Sequence, residues 1–284
     1  MRQYFRWAIA SIISVAGLGA ASAADMAVKA RPAPVVVFSW TGCYVGGSVG
    51  AAQGRSNFNW SNITEGPTGL AVGAATVLPA AANARLSDTG AAVGGQVGCN
   101  YQTGALVFGG EADIQWTDIK TSRTATSLGN TNGGPATIVP GAIAESLSSD
   151  WLATFRGRAG YAWDRVLVYG TGGLAVANIR YFDEVCFPTA GVPGCNTASS
   201  SSTRTGWVVG GGIEWAFAPN WSVKAEYLYA DLGNTTNRSI YTTPAGATLF
   251  PLGTINHNHN FIEETARVGV NYRFNLAPAV VAKY

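Results

Sequence analysis

Nine charged side chains stand where chemistry could be done in a confined space: Glu111, Asp113, Arg156, Arg158, Glu214, Lys224, Glu226, Arg267 and Arg273. Each alternates with apolar neighbours, so in an extended chain it points to the opposite face from them. Acids and bases gathered on the inner wall of a narrow closed sheet must pair, because an isolated buried charge is costly. A lumen built this way is a structural network. Read as a pathway, the same residues would line a narrow selective channel. Two other patterns imitate catalytic motifs. Gly46-Gly47-Ser48-Val49-Gly50 matches G-x-S-x-G, but a nucleophile elbow joins a strand to a helix and this segment reads as strand interior. Gly170-Thr171-Gly172-Gly173-Leu174-Ala175 resembles a dinucleotide fingerprint without the helix and acid that a βαβ unit supplies. His257 and His259, the two histidines of the chain, flank Asn258 in what reads as a solvated polar loop.

The elements that must position these residues are strands of alternating character, joined by connections that are alternately short and long. The pattern predicts strands over Gly42 to about Gln53, Asp88–Tyr101, Ala105–Thr117, Asp150–Trp163, Val166–Ile179, Thr203–Phe217, Trp221–Leu232 and Phe261–Phe274. Gln102-Thr103-Gly104, Asp164-Arg165 and Ala218-Pro219-Asn220 make tight turns. Four long loops lie on the other side, running to Ser87, from Thr117 to Asp150, to Ser202 and to His259. An even strand number with short turns at one end and long loops at the other is the asymmetry of an outer-membrane barrel. A soluble β-sandwich is the competing architecture, but several long structureless connections are uncommon in compact soluble domains. The fold class is therefore all-β, an eight-stranded antiparallel transmembrane β-barrel with short periplasmic turns and four long extracellular loops.

Strand faces agree with a lipid exterior. Trp207, Val209, Gly211, Ile213, Trp215 and Phe217 share one face, opposite Gly210, Gly212 and Glu214; Leu106, Phe108, Ala112, Ile114 and Trp116 likewise oppose Glu111, Asp113 and Gln115. Trp40, Trp116, Trp151, Trp163, Trp207, Trp215 and Trp221 fall near strand ends, where an amphipathic ring meets both acyl chain and headgroup, and they read as two aromatic girdles. Cys43 and Cys99 share the face of nearby valines on neighbouring strands, and Cys186 and Cys195 enclose a short segment of the third loop. In an oxidising compartment these pairs form disulfides. Metal binding is the rival use of four thiols, and the absence of Cys-x-x-Cys spacing argues against it.

The N-terminus supports export. Arg2 and Arg6 precede an apolar run from Ile9 to Leu18, and Ala21-Ser22-Ala23 offers a small-x-small cleavage site, so residues 1–23 read as a signal peptide. Residues 24–39, with Pro32 and Pro34, form an extended periplasmic linker, 40–274 the barrel and 275–284 a C-terminal tail. Cleavage removes two of the 18 Lys and Arg and none of the 16 Asp and Glu, which leaves 16 against 16 and no net charge. A neutral chain lacks the cation surplus that nonspecific nucleic-acid binding requires. Thirty-six glycines with 12% charged residues fit a β-rich chain whose apolar surface is spread thinly.

Four segments carry a resemblance: Phe38-Ser39-Trp40-Thr41-Gly42-Cys43-Tyr44-Val45-Gly46-Gly47, Arg156-Gly157-Arg158-Ala159-Gly160-Tyr161, Tyr169-Gly170-Thr171-Gly172-Gly173-Leu174-Ala175, and Arg267-Val268-Gly269-Val270-Asn271-Tyr272-Arg273-Phe274. In these the chain resembles the outer-membrane porin-family surface antigens of alphaproteobacteria, relatives of OmpA-like and opacity-type eight-stranded barrels. The resemblance implies residence in the outer membrane of a Gram-negative bacterium and a role in envelope integrity and surface interactions through extracellular loops. It brings no catalytic residues and no cofactor. The alternative function is a narrow low-conductance porin for small hydrophilic solutes. An enzymatic reading, lipid modification at the barrel rim, finds only the loop histidines as candidate bases. Expected partners are outer-membrane lipid and lipopolysaccharide, the barrel-assembly machinery and extracellular ligands of the loops. Phe274 resembles the terminal assembly signal of such barrels, although Asn275–Tyr284 continue beyond it.

Overall fold

The computed structural model describes residues 38–64, 83–130, 138–189, 192–241 and 254–274. The signal peptide, most of the linker and the C-terminal tail fall outside the described residues. Eight antiparallel strands close into one barrel in sequence order: β1 (Gly42–Thr64), β2 (Ala84–Thr103), β3 (Leu106–Asn130), β4 (Ile138–Trp163), β5 (Val166–Thr189), β6 (Val192–Trp215), β7 (Trp221–Tyr241) and β8 (Thr254–Phe274). The last strand closes on the first, with Cys43 opposite Phe274 and Val49 opposite Val268. Closure removes both sheet edges, as a bilayer demands of any strand that faces lipid.

At the short-turn end the strands begin and end within two residues of where the sequence predicts, with β2 running on to Thr103 and β6 stopping at Trp215. Asp164, at φ 50°, turns β4 into β5, and Gly104, at φ 60°, turns β2 into β3. The open end differs. Strands run 20 to 26 residues, so much of what reads as loop is strand. Most of the expected third loop in particular is strand, because β5 and β6 stay paired from Val166↔Trp215 to Thr189↔Val192. A tilted strand needs only about 9 to 11 residues to cross the hydrocarbon. The excess builds a tube of sheet that continues beyond the membrane.

The physical reason for the misreading is an inversion of polarity. In the lower half, apolar side chains point out, such as Val45, Val49 and Ile213, and charged ones point in. Above the ring formed by Trp116, Trp151 and Trp207, the outer wall meets water and carries Asn57, Ser146, Ser148, Arg180, Ser199 and Ser201, all exposed or half-buried. There the inner wall turns apolar, with Phe58, Trp60, Ile143, Leu147, Ile179 and Val185 buried. Register shifts between Trp116/Ile119, Ser149/Trp151 and Asp231/Asn234 fall near the change. The shift in β4 puts Ser149 and Leu152 both inside, so strict alternation breaks at that point.

Candidate functional site: the filled lumen

The lumen is filled in tiers. At the turn end Trp40, Val107, Ala162, Leu167, Tyr169 and Ala216 pack into an apolar cluster with Phe38 against it. Trp40 was expected in a girdle, but it is 1% exposed. It lies inside because its backbone N–H donates to Gln102 Oε1 at 2.7 Å and its indole N–H to the Asp164 carbonyl at 3.1 Å, bridging two of the short turns. Among the remaining girdle residues, Trp116, Trp163, Trp207, Trp215 and Trp221 are exposed on the outer wall and Trp151 is half-buried.

Above that cluster lies the charge network. Glu111 and Asp113 come from β3, Arg156 and Arg158 from β4, Glu214 from β6, Lys224 and Glu226 from β7 and Arg267 from β8, all buried. Register puts opposite charges side by side: Glu111 pairs Arg156, Glu214 pairs Lys224 and Glu226 pairs Arg267. The Arg156 guanidinium donates to Glu111 (2.5 Å), Asp113 (2.8 Å), Glu226 (2.9 Å) and Thr154 Oγ1 (2.9 Å). Lys224 donates to both oxygens of Glu111 at 2.7 and 2.9 Å, and Arg267 donates to Asp113 at 2.8 Å and Glu226 at 2.6 Å. Arg158 donates to Glu214 at 2.8 Å and to Tyr44 Oη at 2.7 Å, while its Cζ lies 3.8 Å from the centre of the Tyr169 ring. Tyr44 passes the chain on, donating to Glu111 at 2.6 Å.

Arg273, expected within this network, stands apart from it. It donates to the Pro219 carbonyl at 3.0 Å and sits over the rings of Phe38 and Trp40, because the end of β8 brings it to the turn end rather than to the acids. Tyr44 and Tyr169 are members the sequence reading missed. Their inward parity on β1 and β5 was visible, but a tyrosine in a barrel reads first as lipid-facing.

Over the network lies a dry tier of Phe58, Leu147, Leu152, Ile179, Leu228 and Phe261, all nearly inaccessible. Higher still, polar groups return. His257 and His259 were expected in a solvated loop, yet both lie on β8 and are buried at 0% and 1% exposure. Three asparagines on the outward positions of that strand, Asn256, Asn258 and Asn260, made it look like loop. His259 Nε2 lies 3.0 Å from Asp183 Oδ2, across the lumen on β5. His257 Nε2 is 2.8 Å from Ser239 Oγ on β7, and its Nδ1 is 3.9 Å from Asp183 Oδ1. Trp60 donates to Glu145 Oε1 at 3.0 Å, and Arg123 reaches Glu145 Oε2 at 3.4 Å. Burial pushes the Glu145 carboxyl up to about 7 and the His257 imidazole down to about 4, in each case against the charged form.

Cys43 is bonded to Cys99 and Cys186 to Cys195, each pair directly opposite in register. Glu184 stands near the second pair, but both of its sulfurs are committed to the disulfide. The Gly46–Gly50 and Gly170–Ala175 segments lie within β1 and β5, where neither a nucleophile elbow nor a phosphate loop can form.

The outer membrane protein beta-barrel domain model matches residues 13–274. Among curated proteins the chain is 32% identical over 277 residues to the 31 kDa outer-membrane immunogenic protein of Brucella melitensis biotype 1, covering 93% of this chain and 98% of that one. It is 26% identical to the 22 kDa outer membrane protein of Rhizobium leguminosarum bv. viciae, over 81% of this chain and 86% of that one. Among solved structures, the outer membrane protein OprG of Pseudomonas aeruginosa aligns at a TM-score of 0.42 and 10% identity, covering 84% of this chain and 99% of that chain. With its closed ring of antiparallel strands and its span of the family model, the chain belongs to the outer membrane β-barrel domain family and resides in the outer membrane of a Gram-negative bacterium.

Proposed function

We propose that this outer-membrane barrel is a non-enzymatic, non-conducting anchor that contributes to envelope integrity and holds an interaction surface away from the cell. The observation that carries this reading is the tiered filling of the lumen. An ion crossing it would have to pass the apolar cluster around Trp40, a neutral salt-bridged network and the dry tier around Phe261. Eight strands leave an interior only wide enough for side chains. The strands that continue past the upper tryptophan ring support the second half of the reading, because they carry the outer ends of β3 and β5 clear of the hydrocarbon. The outer wall of that tube, with Arg180, Ser146 and Ser199, has the hydrogen-bonding chemistry to meet the sugars and phosphates of lipopolysaccharide. The barrel-assembly machinery inserts the chain, and extracellular ligands meet its outer end.

Single-channel recording of the purified chain in a planar bilayer tests the reading. Silence or rare flickers are expected. Steady, reproducible conductance steps would instead establish the low-conductance porin for small hydrophilic solutes. Compositional analysis of lipid A from cells with and without the protein tests the enzymatic alternative, and an unchanged composition is expected.

A further inference from the structure

The outer wall of the tube carries a groove with an aromatic floor. On β5, Arg180 and Phe182 are two residues apart, so both stand on the outward face. Register puts Ser146 of β4 and Ser199 of β6 on either side of Phe182, and Ser148 and Ser201 on either side of Arg180. The short serines leave an open groove of about 350 Å3 along the two longer side chains. Phe182 is 38% exposed there, in a wall that otherwise offers hydroxyls to water. An apolar plate with a few polar groups that fix orientation is the composition of a small-ligand site, and the volume falls at the low end of the range for one.

We propose that this groove seats a neutral pyranose unit of lipopolysaccharide in the surrounding leaflet, with one C–H face of the sugar on the Phe182 ring and its hydroxyls on Arg180, Asp150 and the flanking serines. The inference rests on the reading that the tube meets lipopolysaccharide, and deepens it by naming the unit bound and the residues that bind it. A pyranose chair gathers its C–H bonds on its faces and its hydroxyls around its rim. It therefore needs a flat apolar partner beneath it, which an aromatic ring supplies, and hydrogen-bonding groups at the edge.

Charge separates a sugar from a phosphate. Arg180 Nη2 lies 2.6 Å from Asp150 Oδ2, so the guanidinium of the groove is matched by a carboxylate. Lys120 on β3 is matched in the same way by Asp118 at 2.6 Å. With both cations paired, the groove has no surplus charge with which to hold an anion. What it offers is a donor and an acceptor side by side, with 56% of the Arg180 side chain still exposed. That arrangement suits two adjacent hydroxyls, each of which both donates and accepts.

Depth separates a neighbouring lipid from a glycan that arrives from outside. Asn178, two residues before Arg180, stands opposite Trp151 of the tryptophan ring. Arg180 and Phe182 lie about 7 and 13 Å further along the strand, at roughly 3.3 Å per residue. A strand tilt of about 40° brings them to roughly 5 and 10 Å above the ring. The polar layer on each side of the hydrocarbon is about 5 to 7 Å deep. The groove thus spans the top of that layer, where the sugars of an outer-leaflet glycolipid begin.

The test uses the full mature chain in phospholipid nanodiscs, titrated with dephosphorylated core oligosaccharide released from lipopolysaccharide by mild acid. Saturation-transfer difference NMR reads the contact. The expected result is transfer concentrated on the ring C–H protons of one pyranose, and binding at least about tenfold weaker in Phe182→Ala and in Arg180→Met. Phe182→Tyr, which keeps the aromatic plate, is expected to stay close to the parent. Heat-modifiable gel mobility verifies that each variant folds, and both substituted side chains lie on the outer wall, away from the packed lumen. Undiminished binding in Phe182→Ala, or no transfer from the parent at millimolar oligosaccharide, overturns the assignment. Tighter binding of a chondroitin sulfate oligosaccharide than of the core oligosaccharide overturns the choice of occupant. Failure of sugar binding leaves a silent bilayer recording intact, and steady conductance leaves sugar binding intact, so the two readings fail separately.

Discussion

Replacing Arg156 by methionine isolates what the lumen network contributes. Four carboxylates (Glu111, Asp113, Glu214, Glu226) face four cations (Arg156, Arg158, Lys224, Arg267), so the buried cluster is neutral as built. Like Arg267, Arg156 contacts three of the acids. Its loss leaves one uncompensated negative charge and strands Asp113 with Arg267 as its remaining cation. Removing one partner of a buried pair typically costs about 3 to 5 kcal/mol. At about 1.4 kcal/mol per decade, that lowers the folded-to-unfolded ratio by roughly 150-fold to several thousandfold. Adding Glu111→Gln restores neutrality, three acids against three bases, and the double variant is expected to recover about 1 kcal/mol or more. Urea unfolding in lipid vesicles, followed by fluorescence of the girdle tryptophans and by heat-modifiable mobility, measures each step. An Arg156→Met variant within about 1 kcal/mol of the parent would refute the reasoning, as would a double variant whose loss equals the sum of the singles.

Four further outcomes follow from the packing. Phe261→Ala in the dry tier is expected to cost about 3 to 5 kcal/mol, and combined with Leu228→Ala to raise conductance above the parent's silence in planar bilayers. In the chain-entropy account, serine in place of Cys186 and Cys195, separated by 9 positions, costs about 2.5 kcal/mol, and at Cys43 and Cys99, separated by 56, about 4 kcal/mol, read as shifts of the denaturant midpoint. Gly173→Ala places a methyl against the Phe155 carbonyl and is expected to block assembly, whereas the same change at Gly206 meets the Asp231 carbonyl and disturbs the outer tube; yields of heat-modifiable protein report both. Spin labels at Val209 and Ile213 should report hydrocarbon and a label at Ser199 water, by relaxation with oxygen against a nickel chelate. A hydrated Val209 or a lipid-embedded Ser199 would undo the polarity inversion.

The lower half of this barrel was legible because its rule is constant. Apolar side chains face out, charged ones face in, and from Trp207 to Trp215 nothing interrupts the period. The same rule locates Glu214, Lys224, Glu226 and Arg267 inside. It fails above the tryptophan ring, where the exterior solvent changes from lipid to water and the pattern reverses sign. Asn256, Asn258 and Asn260 then resemble a loop although they are the wet face of β8, and the partners they alternate with, Ile255, His257, His259 and Phe261, are buried. On β8 the inward parity runs unbroken from Arg273 back to Ile255, so extending the count would have found the histidines. On β4 no such extension works, because the shift at Ser149/Trp151 moves the inner face from even to odd positions and conceals Glu145. Trp40 was misplaced for a different reason. Its position next to β1 suggested a girdle, and only the turn carbonyl and the Gln102 side chain that capture it lie far away in sequence.

A wall that switches from greasy to hydrophilic partway up fixes the depth at which the cylinder floats. Sinking would drag Arg180 and the serines beside it into acyl chains, where the cost of an arginine climbs from about 0 to 1 kcal/mol near the interface toward about 2 to 4 kcal/mol at the midplane. Rising would lift Val209 and Ile213 into water. The protein therefore cannot slide to suit a thicker or thinner leaflet, and the surrounding lipid must stretch or compress to match it.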